Sequence, residues 1–367
     1  MFLHVFNPSL RLAAVDYIFA FLAILTPVVF IHEMGHYWVA RKSGVVVEVF
    51  SIGFGPELFA RVDKQGTRWR IAALPLGGYV KMRGDENATS LPATGSAAIA
   101  GSFSASSVWS RMAIVAAGPA ANFLFGILLF AGIYMGVGKA FIPAVIGEVI
   151  DGSPAQEAGL ETGDRVLFVD GVKIDDFNTL RTIVFENPER PLIFEIERLE
   201  TLKSLIVKPR SVYSESLKIN FGQLGVKSSE GEFRRLGISE SILNASTDTV
   251  QMTYMMVRGL TRLVTGQANE GEIGGPVRIA EFSADAARQG IVGFLIFMAL
   301  ISINLGLVNL LPIPALDGGH LLFFAIEAII GRPLPEAFQA VLMRGGVALL
   351  LALMVCVTVY DIMRQFS

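Results

Sequence analysis

The stretch from Tyr17 to Ala40, YIFAFLAILTPVVFIHEMGHYWVA, determines how the rest of the sequence is interpreted. It exceeds the roughly 20 apolar residues that are needed to cross the hydrocarbon of a bilayer. Its last part nevertheless contains His32, Glu33 and His36. Ionisable groups at membrane depth cost on the order of 2.5–3.5 kcal/mol each on insertion scales, so they imply a compensating partner or a function. No small-residue cleavage site follows, and we expect this helix to remain in the mature protein.

The composition of the whole chain also indicates a membrane protein. Of 367 residues, 52% are hydrophobic and 17% are charged, against about 25% charged in an ordinary soluble domain. Met112–Val137 and Ile291–Leu316 contain no Asp, Glu, Lys or Arg and are long enough to span, and Gly345–Tyr360 is a shorter fourth candidate. The net charge of −3 and the absence of an isolated basic cluster give no indication of a nucleic-acid partner.

The orientation of the chain follows from its basic residues. The short loop after the first span is rich in Lys and Arg, so the positive-inside rule predicts a cytoplasmic loop and an outward-facing N-terminus. The segment after the second span then also faces outward. The basic residues of the loop are Arg41, Lys42, Arg61, Lys64, Arg68, Arg70, Lys81 and Arg83.

The segments between the spans differ in pattern. Val45–Met82 alternates apolar and polar residues between glycine turns, which predicts a small sheet, and the Ala- and Ser-rich Ala88–Ser107 predicts a flexible loop. After the second span, a Gly- and Asp-punctuated region predicts one compact α/β domain, with a strand at Arg165–Val169. Arg234–Thr265 has helical apolar spacing and predicts an amphipathic helix near the membrane surface.

The predicted fold is therefore a polytopic α-helical membrane protein of about four transmembrane helices, with a small membrane-associated β-sheet and one extracytoplasmic α/β domain. Its predicted segments are residues 1–44 (first span), 45–110 (sheet and loop), 111–140 (second span), 141–225 (outer domain), 226–288 (amphipathic helical linker) and 289–367 (third and fourth spans).

The pattern His32-Glu33-Met34-Gly35-His36 predicts a catalytic metal site. On a helix, the spacing of four residues puts both imidazoles on one face, where they can share a zinc ion. Zinc lowers the pKa of water at its open position to about 7, and Glu33 could then take the proton of that water. The alternative is two histidines that bond to the backbone or face water. The membrane setting favours the metal, because a cation compensates the buried ionisable groups.

The third ligand is expected from a second segment at membrane depth, 309-NLLPIPALDGGH-320. Pro312 and Pro314 cannot continue a helix, so the backbone here is extended or kinked. From chemistry alone, Asp317 and His320 compete for the metal, and either could orient the other. Asp317 could instead be a helix N-cap at the membrane boundary.

These motifs, in this order, resemble the site-2 protease family of intramembrane zinc metalloproteases, and within it the bacterial RseP branch. The resemblance covers nearly the whole chain and implies that Asp317 is the third zinc ligand, beside His32 and His36, with His320 as a neighbour. Further matching pieces are 53-GFGP-56, 75-PLGGYVKM-82, 117-AGPAANF-123, 274-GGPV-277 and residues 304–320.

The resemblance also suggests a role for two other features of the sequence. Residues 152–171 are similar to the PDZ domains of bacterial envelope proteases, and this chain has room for one such domain. A PDZ domain can bind a peptide as an added strand, although a spacer or size filter is an equal alternative. Asn304 and Asn309 are implied to bind or unwind a substrate helix. They could instead pack the bundle through interhelical hydrogen bonds.

The resemblance implies a protease of the bacterial inner membrane. It would cleave the transmembrane segments of single-span membrane proteins already trimmed by a site-1 protease, such as anti-sigma factors, or remnant signal peptides. Its partners would be those substrates and membrane lipid. Two other classes remain open. A zinc transporter would need ionisable residues in several spans, which the second and fourth spans lack, and an inactive PDZ receptor would not need Glu33 beside two histidines.

Overall fold

The computed structural model describes residues 8–84, 100–214, 219–266 and 275–365. Within them the chain forms two compact units, one from residues 1–133 with 238–367 and the other from Tyr134–Gly237. The first unit begins with helix α1 (Pro8–Lys42), strands β1 (Val47–Val62) and β2 (Arg68–Met82), and helix α2 (Val108–Gly136). The predicted loop at 88–107 lies mostly outside the described residues.

Strands β1 and β2 are long and bent, so that together they form a small sheet. The first half of β1 pairs with both halves of β2, because Phe50 is opposite Val80 on one side and Trp69 on the other. The bend falls at Gly53 and Gly55, both with φ of +87°, a conformation that glycine adopts without steric cost. The segment 78–82 is thereby left at an edge of the sheet, with no strand beyond it among the described residues.

The sheet packs against the inner face of α1. Phe50 is fully buried and stacks on Trp69 at a centroid distance of 4.5 Å. Tyr37, one residue after the second histidine of the zinc motif, meets both rings edge-on. Burial of such aromatic side chains stabilises the contact beyond its area alone, so the sheet holds the end of α1 that carries the motif.

The second unit is an α/β domain. Its four-stranded antiparallel sheet has the strand order Val172–Lys173, Arg165–Val169, Leu192–Arg198 and Thr201–Val207, and the unit also contains two short helices. Ser153 and Asp176 cap these helices through their side-chain oxygens. The elements are β3 (Lys139–Phe141), β4 (Ile146–Val149), α3 (Pro154–Glu157), β5 (Arg165–Val169), β6 (Val172–Lys173), α4 (Phe177–Glu186), β7 (Leu192–Arg198), β8 (Thr201–Val207), β9 (Arg210–Ser214), β10 (Ile219–Gln223), β11 (Val226–Ser228) and β12 (Glu232–Arg234).

This unit is wider than the range 141–225 predicted for the outer domain. Strand β11 pairs with β4, and β12 pairs with β3. The predicted helical linker at 226–288 therefore begins with two strands. Short polar strands such as these have little pattern of their own, and their partners determine their conformation.

The remaining helices complete the first unit. They are α5 (Ile238–Val264), α6 (Pro276–Arg288), α7 (Ile291–Asn309), α8 (Asp317–Ile330) and α9 (Glu336–Gln365). The described residues contain four helices long and apolar enough to cross a membrane, at Asp16–Lys42, Val108–Gly136, Ile291–Asn309 and Ala337–Asp361. This confirms the predicted number of candidate spans. The fourth is longer than the predicted Gly345–Tyr360 because Ala337–Arg344 continues the helix.

Helix α7 ends before the two prolines, and α8 begins directly after them. Between the helices the chain folds back over the first turn of α8. A Cβ at Gly319 would lie 2.5 Å from the carbonyl oxygen of Ile313, and one at Gly318 would overlap the carbonyl oxygens of Leu310 and Leu311. The glycine pair after Asp317 thus permits a close contact that buries irregular backbone against protein.

Candidate metal centre

The two histidines of the zinc motif lie one turn apart on α1 and face the interior of the first unit. His32 and His36 are each 8% exposed. Their Nε2 atoms are 3.2 Å apart. This agrees with the expectation that residues four apart share one face of a helix.

Asp317, at the start of α8, completes the cluster. Its Oδ2 lies 3.2 Å from His32 Nε2 and 3.5 Å from His36 Nε2. These three residues form the group of possible metal ligands among the described histidine, cysteine and acidic residues. The structure therefore brings together the three residues predicted as ligands.

The spacing of the three atoms fits zinc. Ligands about 2.0–2.1 Å from a tetrahedral zinc ion lie about 3.3–3.4 Å from one another, and the three observed distances are 3.2, 3.2 and 3.5 Å. In addition, Asp317 Oδ2 is buried without a hydrogen-bond partner among the described residues. A buried carboxylate oxygen is costly unless a cation or a donor compensates it. The donor set of two imidazoles and a carboxylate is one that catalytic zinc sites use.

The ring of His36 is oriented by a backbone carbonyl. His36 Nδ1 lies 2.9 Å from the carbonyl oxygen of Ile114 on α2. Since a carbonyl only accepts, Nδ1 carries the proton and donates it. The lone pair of Nε2 is then directed towards His32 and Asp317 and is available to a metal.

The ring of His32 is held by Asn122, a fully buried residue of α2. Asn122 Nδ2 lies 3.2 Å from His32 Nδ1, and Asn122 Oδ1 has no hydrogen-bond partner among the described residues. With the amide turned so that Oδ1 faces the ring, His32 Nδ1–H donates to it and Nε2 is free for a metal. The hydroxyl of Ser302 on α7 donates to the backbone oxygen of Asn122 at 2.9 Å.

Glycine allows α2 to approach the histidines closely. A Cβ at Gly118 would overlap His36 Nε2 and lie 2.9 Å from His32 Cε1. On α1, a Cβ at Gly35 would overlap the carbonyl oxygen of Ala117. The backbones of α1 and α2 therefore approach each other closely at Gly35 and Gly118, as small residues permit in membrane helix packing.

Glu33 is buried beside the ligands and is not one of them. It is 9% exposed and lines a cavity of about 170 Å³ together with His32, His36, Asp317 and His320. Gly78 of β2 lies directly over it, since a Cβ at Gly78 would be 2.9 Å from Glu33 Cγ. Among the residues that line the cavity, Glu33 is thus the one carboxylate outside the ligand cluster, and it is the candidate general base.

The other candidate residues lie around this centre in different ways. His320 is one turn after Asp317 on α8 and lines the cavity. Asn304 is exposed on α7 and Asn309 is partly buried at its last residue, and neither lines the cavity. Neither asparagine side chain bonds to another described residue, so the structure gives no interhelical hydrogen bond for them. Their role in substrate binding stays a prediction.

Sequence reasoning did not single out the residues that shape the site from α2. Gly118 and Asn122 belong to the motif 117-AGPAANF-123, which the sequence links to the site only through the family resemblance. A glycine and an asparagine four residues apart in an otherwise apolar span could indicate a site. Asn is costly in a membrane span unless its side chain has a partner, and glycine permits close packing of a second helix. The partner of each residue could be identified only in three dimensions.

Comparisons with known proteins show which family this chain is similar to. Residues 20–353 match the model of peptidase family M50. A candidate zinc metalloprotease of Agrobacterium fabrum is 41% identical over 94% of this chain and 95% of its own length. Metalloprotease MmpA of Caulobacter vibrioides is 37% identical over 94% of each chain.

Among solved structures, the PDZ domain of an SdrC-like protein from Listeria innocua covers 25% of this chain and 99% of its own, with 13% identity and a TM-score of 0.21. That likeness is too small to establish a PDZ fold. The family match and the two relatives cover nearly the whole chain, including both segments of the metal centre. The chain therefore belongs to peptidase family M50, the site-2 protease family, and is a zinc metalloprotease.

Proposed function

We propose that this metalloprotease hydrolyses peptide bonds in the transmembrane segments of other membrane proteins, as one step of regulated intramembrane proteolysis. The observation that carries the proposal is the location of the metal centre. His32, Glu33 and His36 belong to a helix that is long and apolar enough to cross a membrane, and they are buried in the unit formed by the candidate spans. A peptide that reaches Glu33 would therefore be cleaved at or near membrane depth.

His32 Nε2, His36 Nε2 and Asp317 Oδ2 would hold the metal. When bound, zinc supplies a Lewis acid and lowers the pKa of water at its open position. Glu33 would take the proton of the attacking water and later pass it to the leaving amine. Ile114 and Asn122 would keep the two imidazoles in the tautomer that binds the metal.

The substrate would reach this centre as an extended strand. Gly78, Tyr79 and Val80 of β2 line the cavity with Glu33, and among the described residues no further strand pairs with this stretch on its outer side. An edge strand offers free N–H and C=O groups to an added peptide. The peptide groups of a helix are paired in its own hydrogen bonds, so a helical segment cannot add to a sheet edge as a strand. A substrate helix would have to unwind before cleavage.

The setting of this activity is proposed from the charge pattern and the family. The basic loop after the first span favours a cytoplasmic sheet, with the N-terminus and the unit at 134–237 outside the bacterial inner membrane. The substrates would be single-span proteins already shortened outside by a site-1 protease. Anti-sigma factors and remnant signal peptides are the classes that the resemblance implies.

The test uses the purified full chain in detergent with a tagged single-span substrate. Glu33→Gln should abolish cleavage and leave the zinc content unchanged, because Glu33 is not a ligand. Glu48→Gln, at a partly exposed glutamate that does not line the cavity, is the matched control and should cleave at the wild-type rate. Mass spectrometry should locate the cut within the apolar segment. Wild-type cleavage by Glu33→Gln would refute the mechanism, and cutting of soluble peptides alone would refute the substrate class.

A further inference from the structure

Of the ionisable side chains that line the metal-centre cavity, the proposed mechanism leaves His320 without a role. Residues three apart on a helix are neighbours on one face, so His320 lies beside Asp317 on the cavity side of α8. It belongs to the lining of the same cavity as Glu33. It is close enough to Asp317 and His36 to interact electrostatically with both.

His320 is not part of the ligand cluster. The three atoms that could hold a metal come from His32, His36 and Asp317, and His320 does not belong to this group. Its ring makes no hydrogen bond to another described residue. It is packed instead against two phenylalanines of α8, with centroid distances of 6.4 Å to Phe323 and 6.3 Å to Phe324.

The His320 imidazole can donate a hydrogen bond to a substrate. A neutral imidazole carries one N–H, and no described protein acceptor uses it here. The phenylalanine rings limit the positions of the ring without satisfying its polar atoms. The first turn of α8 also directs the positive end of a helix dipole towards the cavity. These features suit a group that stabilises developing negative charge.

We propose that His320 donates a hydrogen bond from its imidazole to the carbonyl oxygen of the scissile peptide bond as that oxygen becomes negatively charged. The inference rests on the proposed peptidase mechanism and assigns a further catalytic residue to it. His320 transfers no proton in this step, and the ring is neutral before and after it. Donors preorganised towards a developing oxyanion are among the largest contributions to catalysis.

The main experiment compares His320→Leu and His320→Gln with the wild-type full chain in detergent. His320→Leu should lower kcat about 10²- to 10³-fold, the usual effect of losing one such donor. KM and zinc content should stay within twofold of the wild type. His320→Gln keeps an N–H donor and should recover part of kcat. If both variants cleave at the wild-type rate, or if His320→Leu loses its zinc, the proposal is wrong.

Tyr79 provides the competing donor, because it also lines the cavity. Its ring stacks on Phe54 at a centroid distance of 6.1 Å, and the Arg70 guanidinium lies 5.7 Å from its centroid. Tyr79→Phe removes only the hydroxyl, and the proposal predicts a smaller loss of kcat for this variant than for His320→Leu. If Tyr79→Phe loses activity while His320→Leu does not, the oxyanion donor is Tyr79.

A second measurement does not depend on turnover. In the Glu33→Gln variant, diethylpyrocarbonate should modify the His320 ring, and a saturating single-span peptide should protect it, as read by mass spectrometry. Equal modification with and without peptide would overturn the proposal. This proposal can be tested separately from the proposed substrate class. If the wild type cuts only soluble peptides, the same His320 variants can be compared on such a peptide.

Discussion

The backbone of Gly118 lies so close to the His36 ring that a Cβ at position 118 would overlap His36 Nε2. Helix α2 is therefore one wall of the metal centre. It contributes no ligand, but it contacts both histidines, through Gly118 and through the groups that bond to their Nδ1 atoms. The geometry of the ligands thus depends on the distance between α1 and α2.

We expect Gly118→Ala to disrupt this geometry. The added methyl group would force the two imidazoles or the two helices apart, and the zinc affinity should fall by at least about tenfold, the lower end of the range for residues that orient metal ligands. Zinc titration of the apo protein in detergent measures the effect.

Gly132→Ala is the matched control, because Gly132 is in the same helix and a Cβ there would have no neighbour within 4 Å. It should bind zinc like the wild type and be slightly more stable, since alanine favours a helix over glycine by about 1 kcal/mol. Equal zinc affinities for the two variants would contradict the role of Gly118.

Asn122 should determine the orientation of His32. Asn122→Leu removes the acceptor for His32 Nδ1–H, so we expect zinc affinity to fall about 10- to 100-fold. Asn122→Asp retains an oxygen acceptor and should lose less. Ser302→Ala, which removes only the hydrogen bond to the Asn122 backbone, should have the smallest effect. If Asn122→Leu binds zinc as tightly as Asn122→Asp, the side-chain oxygen does not orient the ring.

The ion pair between Arg111 of α2 and Glu327 of α8 links the two helices that flank the cluster. Its contacts are 3.2 and 2.5 Å, both side chains are about 15% exposed or less, and the guanidinium lies 4.8 Å from the Phe324 ring. Removing one partner of a fully buried pair costs about 3–5 kcal/mol. Here we expect somewhat less, because some solvent reaches the pair.

Thermal unfolding in detergent of Arg111→Met, Glu327→Leu and the double variant tests this. The double variant should be more stable than the sum of the two single effects, since it leaves no unpaired charge. Strictly additive losses would mean that the two charges do not interact. The exposed pair Lys173–Asp175 in the second unit is a control and should contribute little.

Much of this architecture could be predicted from the sequence, because its strongest signals are local. Apolar runs predict the spans by length alone, and the spacing of His32 and His36 predicts a shared helix face. The third ligand could not be chosen on chemistry, since Asp317 and His320 offer equally suitable atoms. The structure distinguishes them, because the first turn of α8 directs Asp317 Oδ2 at the histidines.

Other features depended on contacts between distant segments. Strands β11 and β12 have only three residues each and form because β4 and β3 offer them an edge. The contact of Gly118 with His36 and that of Asn122 with His32 depend on the crossing of α1 and α2. A sequence pattern gives the face of a helix, but it does not give the distance at which a second helix packs on it.

Asp361, near the end of α9, should stabilise the start of α6. It is 6% exposed, and its Oδ2 accepts hydrogen bonds from the backbone N–H groups of Gly275 at 2.9 Å and Arg278 at 3.3 Å. Helix α6 has no side-chain cap of its own, so a carboxylate from another helix compensates its free N–H groups and its dipole. Loss of a helix cap costs about 0.5–2 kcal/mol.

We therefore expect Asp361→Ala to lower the unfolding free energy by about this amount and to accelerate hydrogen exchange at the amides of residues 275 and 278. Asp361→Asn keeps an oxygen acceptor without the charge and should have an intermediate effect. Asp285→Ala breaks only the exposed pair with Arg288 on α6 and should change little. Exchange at residues 275 and 278 that is the same in Asp361→Ala and the wild type would show that Asp361 does not cap α6. Helix α6 packs against α1, which carries both histidines. A zinc titration of Asp361→Ala would therefore also show whether the cap supports the metal centre. We expect the zinc affinity of this variant to stay within a few-fold of the wild type.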